Sequence, residues 1–278
     1  MTMPQPAGGA ARVPLPLEGV KASVAIASGK GGVGKSTVSV NLALALAAQG
    51  AAVGLLDADI YGPSLPMLLG INRRPEVADD KLVPLSAHGL RVMSLGFLMP
   101  DGAPVIWRGA MVSGAIQQFL RDVAWGRLDY LLIDLPPGTG DAQLTLAQVV
   151  PLTGALIVMT PQDLAMHIAS KAVTMFRQLR VPILGVLENM SGFACPHCGA
   201  IAPVFRTGGG RVASQRLGVP FLGEVPLDPR VCQASDGGEP IVSTHPASPA
   251  ATAFRSVAAA LAARVREETA AAPAIRLG

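Results

Sequence analysis

Residues 28–37 read Ser-Gly-Lys-Gly-Gly-Val-Gly-Lys-Ser-Thr, set between an apolar run (Ala22–Ala27) and a helical pattern (Thr37–Gln49). Few folds send a strand into so glycine-rich a turn and then straight into a helix. Glycines let successive backbone N–H groups close around phosphate oxygens without Cβ clashes, at the electropositive start of a helix. In this setting Lys35 is expected to reach the β- and γ-phosphates of ATP, and Ser36 to ligate Mg²⁺.

Further apolar runs predict strands over Ala52–Leu56, Tyr130–Ile133, Ala155–Met159 and Ile183–Leu187. Helical patterns fall between them, over Met111–Val123 and Leu164–Leu179, and a closing helix is predicted over Ala251–Glu268. Strand alternating with helix implies an α/β fold with a mostly parallel sheet flanked by helices on both faces, a three-layer P-loop NTPase arrangement. One domain is expected over 20–270, with tails at 1–19 (flexible) and 271–278. The chain has 278 residues, of which half are hydrophobic, so a sizeable core is available.

The mean hydropathy of +0.43 raises the question of membrane spans. The two uncharged stretches long enough to consider are Ser36–Leu56, interrupted by Gly50, and Ala142–Gln162, interrupted by Pro151 and Gly154. Each divides into a helix and a buried strand, so no span is predicted. The N-terminus lacks the apolar core of a signal peptide, and a cytoplasmic location is expected. A net charge of +3 is too small to argue for nucleic acid.

Ligands bind at the carboxyl ends of parallel strands, so residues following the apolar runs are the candidates. Asp57 and Asp59 lie in LLDADIYGPS; a carboxylate there either activates water against the γ-phosphate or caps the next short segment. Asp134 ends the run YLLI, as a carboxylate near Mg²⁺ does, and the PPGTG that follows suits a γ-phosphate-sensing loop. Asp141 reads as a helix cap or a dimer contact. Asn189 offers a donor and an acceptor together, fitting either adenine or a satisfied turn. Trp107 and Arg108 are equally open between a partner-facing role and local pairing.

Cys195 and Cys198 form CPHC in a glycine-bounded stretch. Two thiolates at this spacing grip one metal or one cluster edge, and two chains about a two-fold axis supply four, enough for zinc or a [4Fe–4S] cluster. A dithiol redox pair and a plain turn are the other readings. Cys232, with no cysteine near it, is expected as a small buried hydrophobe.

Taken together, SGKGGVGKST, LLDADIYGPS, VIWRGAMVSGAIQQFL, WGRLDYLLIDLPPGTGDAQLTLAQ, TPQDLA, ENMSGFACPHCG and LGEVPLDPRV resemble the Mrp/ApbC/NBP35 family of iron–sulfur cluster carrier ATPases, within the deviant Walker A group. The match runs from about Gly19 to Ala263. Neither the small N-terminal domain of many bacterial members nor the four-cysteine segment of some eukaryotic ones has a counterpart in the residues before it.

The resemblance implies a homodimer in which Lys30 reaches the partner's nucleotide. The loop made by Gly29, Lys30, Gly31, Gly32, Val33, Gly34, Lys35, Ser36 and Thr37 would hold the phosphates of ATP. Asp59 would be tied to hydrolysis and Asp134 to Mg²⁺, while Cys195 and Cys198 share a [4Fe–4S] cluster with the partner's pair. Slow ATP hydrolysis would then accompany delivery of the cluster to apo iron–sulfur proteins.

Two other readings are a zinc-stapled ATPase using the same cysteines and a positioning ATPase acting on membrane or DNA. The last calls for a basic, bulky-apolar C-terminal helix, whereas Ala251–Glu268 is Ala-rich with mixed charges. No membrane or nucleic-acid partner is therefore expected.

Overall fold

The computed structural model describes residues 17–59, 62–98, 114, 118–195 and 197–271. Eight strands lie side by side in the order β10 (Ile201–Ala202), β9 (Ile183–Ala194), β8 (Gly154–Met159), β1 (Val20–Ser28), β7 (Leu128–Asp134), β2 (Val53–Asp57), β6 (Leu90–Ser94) and β5 (Leu85–Ala87). A ninth, β11 (Phe221–Leu227), pairs with β9. All neighbours are parallel except β5 with β6 and β10 with β9. A separate short hairpin joins β3 (Val77–Ala78) to β4 (Lys81–Leu82).

Around the sheet lie α1 (Lys35–Ala47), α2 (Leu65–Leu68), α3 (described at residue 114 and over 118–122), α4 (Asp141–Val149) and α5 (Asp163–Gln178). They are followed by α6 (Gly209–Leu217), α7 (Pro229–Asp236), α8 (Ile241–Thr244) and α9 (Pro249–Ala271).

The central strands are apolar without alternation because both faces are covered, as a parallel sheet requires. Helix α1 is buried continuously from Val38 to Leu46. A helix apolar all round must be enclosed, and α9 helps to enclose it through the buried Phe254, Val257, Leu261 and Val265. This is why residues 36–56 carry so long an uncharged stretch. Asn41, buried within α1, donates to the Thr37 carbonyl at 2.8 Å and accepts the Val242 N–H at 3.2 Å, tying α1 to α8. No helix among the described residues is long and apolar enough to cross a membrane.

Apart from the Met111–Val123 helix, the anticipated strands and helices are present within a few residues. Two differences bear on the site. Strand β9 does not stop at Leu187 but continues to Ala194, passing through Met190 and Gly192, both with left-handed backbone (φ 59° and 70°). Asn189 therefore lies within a strand, not after one. Strand β11 was not anticipated; it contains Gly223 and Pro226, residues that weaken a strand pattern. Trp107, Arg108 and most of the expected Met111–Val123 helix lie outside the described residues, as do residues 1–16.

Candidate nucleotide and cysteine sites

Register places the acidic residues. In the parallel pair β2/β7, Asp57 stands opposite Asp134, and in β1/β7, Asp134 stands opposite Ile26. The glycine loop leaves β1 two residues later, so loop and carboxylates converge at one sheet edge. The loop turns through Gly32 and Gly34, both left-handed (φ 77° and 76°), and Gly34 is the N-cap of α1. Ser28 Oγ donates to the Lys30 carbonyl at 2.9 Å, and the Gly138 N–H of the PPGTG segment donates to the Ser28 carbonyl at 3.0 Å.

A cavity of about 470 Å³ opens over this loop. Of the nine phosphate-loop candidates, Lys30, Gly31, Gly32, Val33, Gly34, Lys35, Ser36 and Thr37 line it, and Gly29 does not. Asp59 and Asn189 also line it. An open glycine cradle at a helix start, with a lysine and a hydroxyl at its floor, fits a nucleotide's phosphates; Ser36 lines the cavity and would meet a Mg²⁺ ion there, whereas Asp134 is fully buried, does not line it, and would act through Ser36.

Lys35 is 6% exposed and pairs with Asp134, Nζ to Oδ1 2.8 Å; Asp134 is fully buried. Ser36 Oγ donates to Asp134 Oδ2 at 2.5 Å and Ser39 Oγ to Oδ1 at 2.7 Å. Lys35 is thus held by Asp134. A phosphate group arriving in the loop therefore competes with a buried carboxylate for the ammonium.

The sequence leaves water activation and capping open for Asp57 and Asp59; the structure divides them. Asp57 organises the following loop: it accepts the N–H groups of Asp59 (3.1 Å), Ser64 (3.1 Å) and Leu65 (3.2 Å), and the Ser94 hydroxyl (3.0 Å). Asp59 faces the cavity. Asp141 is the first residue of α4, whose N-cap is Gly140, so its reading as the cap is corrected.

Burial pushes the Asp57 carboxyl up, and the Asp134 charge pushes it further, to about 7 against an ordinary 3.8, despite the hydrogen bonds that oppose the shift. Between about pH 4 and 7 the folded chain thus holds a proton that the unfolded chain has lost, so this group's stabilising contribution falls as pH rises. Stripped of nucleotide and Mg²⁺, the protein is expected to melt at a lower temperature at pH 8 than at pH 5.5. Asp57→Asn should flatten that dependence in thermal melts. An unchanged slope would show that another group sets it.

Asn189 donates from Nδ2 to the Val33 carbonyl at 2.8 Å. In this state it braces the phosphate loop. A Cβ on Gly34 would sit 2.4 Å from Asn189 Nδ2, whereas one on Gly32 meets nothing within 4 Å. Both substitutions carry the left-handed backbone cost of about 1–2 kcal/mol, so only Gly34→Ala also displaces the brace. Gly34→Ala is expected to weaken ADP binding by about tenfold more than Gly32→Ala does, measured by titration calorimetry. Equal losses would leave Asn189 without a part in the loop.

Sequence reasoning missed Glu188. It is fully buried beside Asn189, and its carboxylate accepts the N–H of Gly208 at 3.0 Å and that of Gly210, capping α6. A lone acid ending an apolar run was the available signal.

The cysteines sit at the tip of the β9–β10 hairpin, where Ala194 pairs with Ile201. The tip closes by Gly199 N–H to the Cys195 carbonyl and Cys195 N–H to the Ala200 carbonyl, both 2.9 Å, with Gly199 left-handed. Cys198 is exposed and Cys195 half-buried. Hydrogen bonds from the Cys198 and His197 backbones and from the Cys198 side chain hold the Cys195 thiol below its usual range. Among the described residues, no group of three or more Cys, His, Asp or Glu side chains converges to hold a metal. Cys232 is not the buried hydrophobe expected: it is exposed and lines the nucleotide cavity, with its thiol 3.7 Å from Asp236 Oδ2. Its place on α7, few of whose residues pack inward, explains this.

Comparison with known proteins agrees with this geometry. The chain is 52% identical over 255 residues to an iron–sulfur cluster carrier protein of Deinococcus radiodurans, covering 91% of this chain and 72% of that one. It is 48% identical over 254 residues to the iron–sulfur cluster transfer protein NUBPL of Mus musculus, covering 90% and 80%. Among solved structures, a nucleotide-binding protein of Archaeoglobus fulgidus, in complex with ADP and with cobalt found in it, superposes with a TM-score of 0.72 at 44% identity, covering 80% of this chain and 88% of that one. The cell-division ATPase MinD of Pyrococcus furiosus shares the fold, with a TM-score of 0.66 at 24% identity, covering 87% and 99%. The ParA family described as the NUBPL iron-transfer P-loop NTPase matches residues 19–262, and the chain belongs to that family.

Proposed function

We propose that this protein is an ATP-dependent iron–sulfur cluster carrier, which holds a [4Fe–4S] cluster between two identical protomers and delivers it to apo iron–sulfur proteins. The observation that carries the reading is the cysteine hairpin: an exposed Cys198 and a half-buried Cys195 at its tip, with no group of three or more ligating side chains gathered there among the described residues. A tetrahedral thiolate site needs four ligands, which a second copy supplies. The names of the relatives support the cargo. Exposed Ile201, Val204 and Phe205 flank the tip and would be covered when another protein meets it.

In this reading ATP with Mg²⁺ occupies the glycine cradle, Lys30 serves the partner's nucleotide, and Asp59, which lines the cavity, is the carboxylate assigned to hydrolysis. Neither nucleic acid nor membrane has a part in this reading.

Anaerobic reconstitution with iron and sulfide tests it, followed by metal and sulfide analysis, visible and EPR spectra, and the mass of the species. About four irons and four sulfides per dimer are expected. Zinc without sulfide, or a monomer with neither, would overturn the cargo assignment.

A further inference from the structure

Two cavities meet across α7. The nucleotide cavity is walled there by Asp228, Val231 and Cys232. On the other side lies a hollow of about 310 Å³, lined by Cys195, Arg230, His245 and Ser248. Asp228 and Arg230, one from each cavity wall, are bound to each other. The Asp228 carboxylate takes Arg230 Nε at 2.9 Å on Oδ1 and Nη2 at 2.7 Å on Oδ2, and Oδ1 also caps α7 through the Arg230 N–H at 3.0 Å. Asp228 is 2% exposed. Burial pushes its carboxyl up, but the hydrogen bonds and charge of Arg230, together with His245, outweigh this and hold it below the usual range.

Backbone connections follow the same route. Strand β11 delivers Asp228 one residue past its end, and β9 delivers Cys195 one residue past its own. The two strands run in parallel, Val225 opposite Asn189 and Leu227 opposite Phe193, with a register shift between these pairs. No residue of helix α7 is fully buried, and Val231 and Ala234 are its side chains that pack on the core.

We propose that Arg230 is a positioning residue for Cys195 that answers to the nucleotide through Asp228. A guanidinium is always charged, planar and rich in donors, and here a bidentate carboxylate fixes two of its edges. The rest of its donors make no other hydrogen bond among the described residues. Arg230 and Cys195 line the same hollow, and a thiolate there, or any iron–sulfur cluster it carries, would be anionic and open to the guanidinium if Arg230 moves toward it. When nucleotide fills the cavity, a shift of Asp228 moves the guanidinium with it, and the field and space at Cys195 change. The cargo rests on the reading above, but the coupling does not need the cargo to be present.

The test uses the full chain without cluster. Alkylation by iodoacetamide is followed by peptide mass spectrometry at Cys195 and Cys232, with and without Mg-ADP. Because Cys232 lines the nucleotide cavity, its shielding reports occupancy in the same sample. In the parent protein, Mg-ADP is expected to shield Cys232 and to change the Cys195 rate about fivefold. In Arg230→Ala, Cys232 should still be shielded while the Cys195 rate no longer responds; Arg230→Lys, keeping charge without the bidentate grip, should lie between. A Cys195 response as large in Arg230→Ala as in the parent overturns the inference, as does a parent whose Cys195 ignores a nucleotide that shields Cys232. A chain that takes up no iron and sulfide yet shows the expected pattern keeps the coupling and loses only the cargo.

Discussion

Cys195→Ser combined with Cys198→Ser is expected to give a chain that takes up no iron and no sulfide on anaerobic reconstitution, while ADP binding persists. Serine preserves shape and hydrogen bonding at the hairpin tip but replaces a soft thiolate with a hard, weakly acidic hydroxyl. Neither cysteine lines the nucleotide cavity, so the glycine loop and its Lys35–Asp134 pair are untouched. Each single variant removes two of the four ligands in a symmetric dimer and should also lose the chromophore. The checks are iron and sulfide content, the visible spectrum and calorimetric ADP affinity. Full cluster occupancy in the double variant would place the cargo elsewhere. Loss of ADP binding along with the cluster would point to a misfolded hairpin, and Cys232→Ser, altering a cysteine outside the hairpin, provides the comparison for cluster uptake.

Lys35→Ala is expected to remove hydrolysis and to destabilise the nucleotide-free protein as well. The second effect follows from burial. Asp134 is fully buried, stands opposite Asp57, and has Lys35 as its ion-pair partner. Removing one partner of a buried pair leaves an uncompensated charge, at a cost of about 3–5 kcal/mol, lessened where the carboxyl instead takes up a proton. Adding Asp134→Asn should restore much of the lost stability without restoring turnover. Urea unfolding measures the first, and phosphate release at saturating ATP measures the second, with a fall of about a hundredfold or more expected from the loss of a preorganised cation. Parental stability in Lys35→Ala would mean that the pair does not form in the protein without nucleotide.

Much of this site was legible in advance because its parts are local. A loop that needs backbone without Cβ atoms must be written in glycine, and a lysine and a hydroxyl must follow at fixed spacing to reach the phosphates. Asp134 was legible as the residue ending an apolar strand, and the cysteine pair by its spacing. The alternation of strand and helix made the parallel sheet legible too, since strands enclosed on both faces cannot alternate polar with apolar residues.

Contacts distant in sequence were another matter. That Asp57 ties down the loop depends on where Ser64, Leu65 and Ser94 lie. Asn189 reads equally well as an adenine partner or a turn residue until β9 carries it against Val33. Cys232 passes for a buried hydrophobe until α7 exposes it at the wall of the cavity over the glycine loop. The sequence by itself therefore determined the fold class, the phosphate loop and the paired thiols, because each is set by spacing within one element or between neighbouring ones. Only the tertiary structure decided that Asp57 braces the loop, that Asp59 lines the cavity, and that the paired Asp228 and Arg230 line two different cavities. Those roles arise from strand register and from burial, which no local spacing encodes.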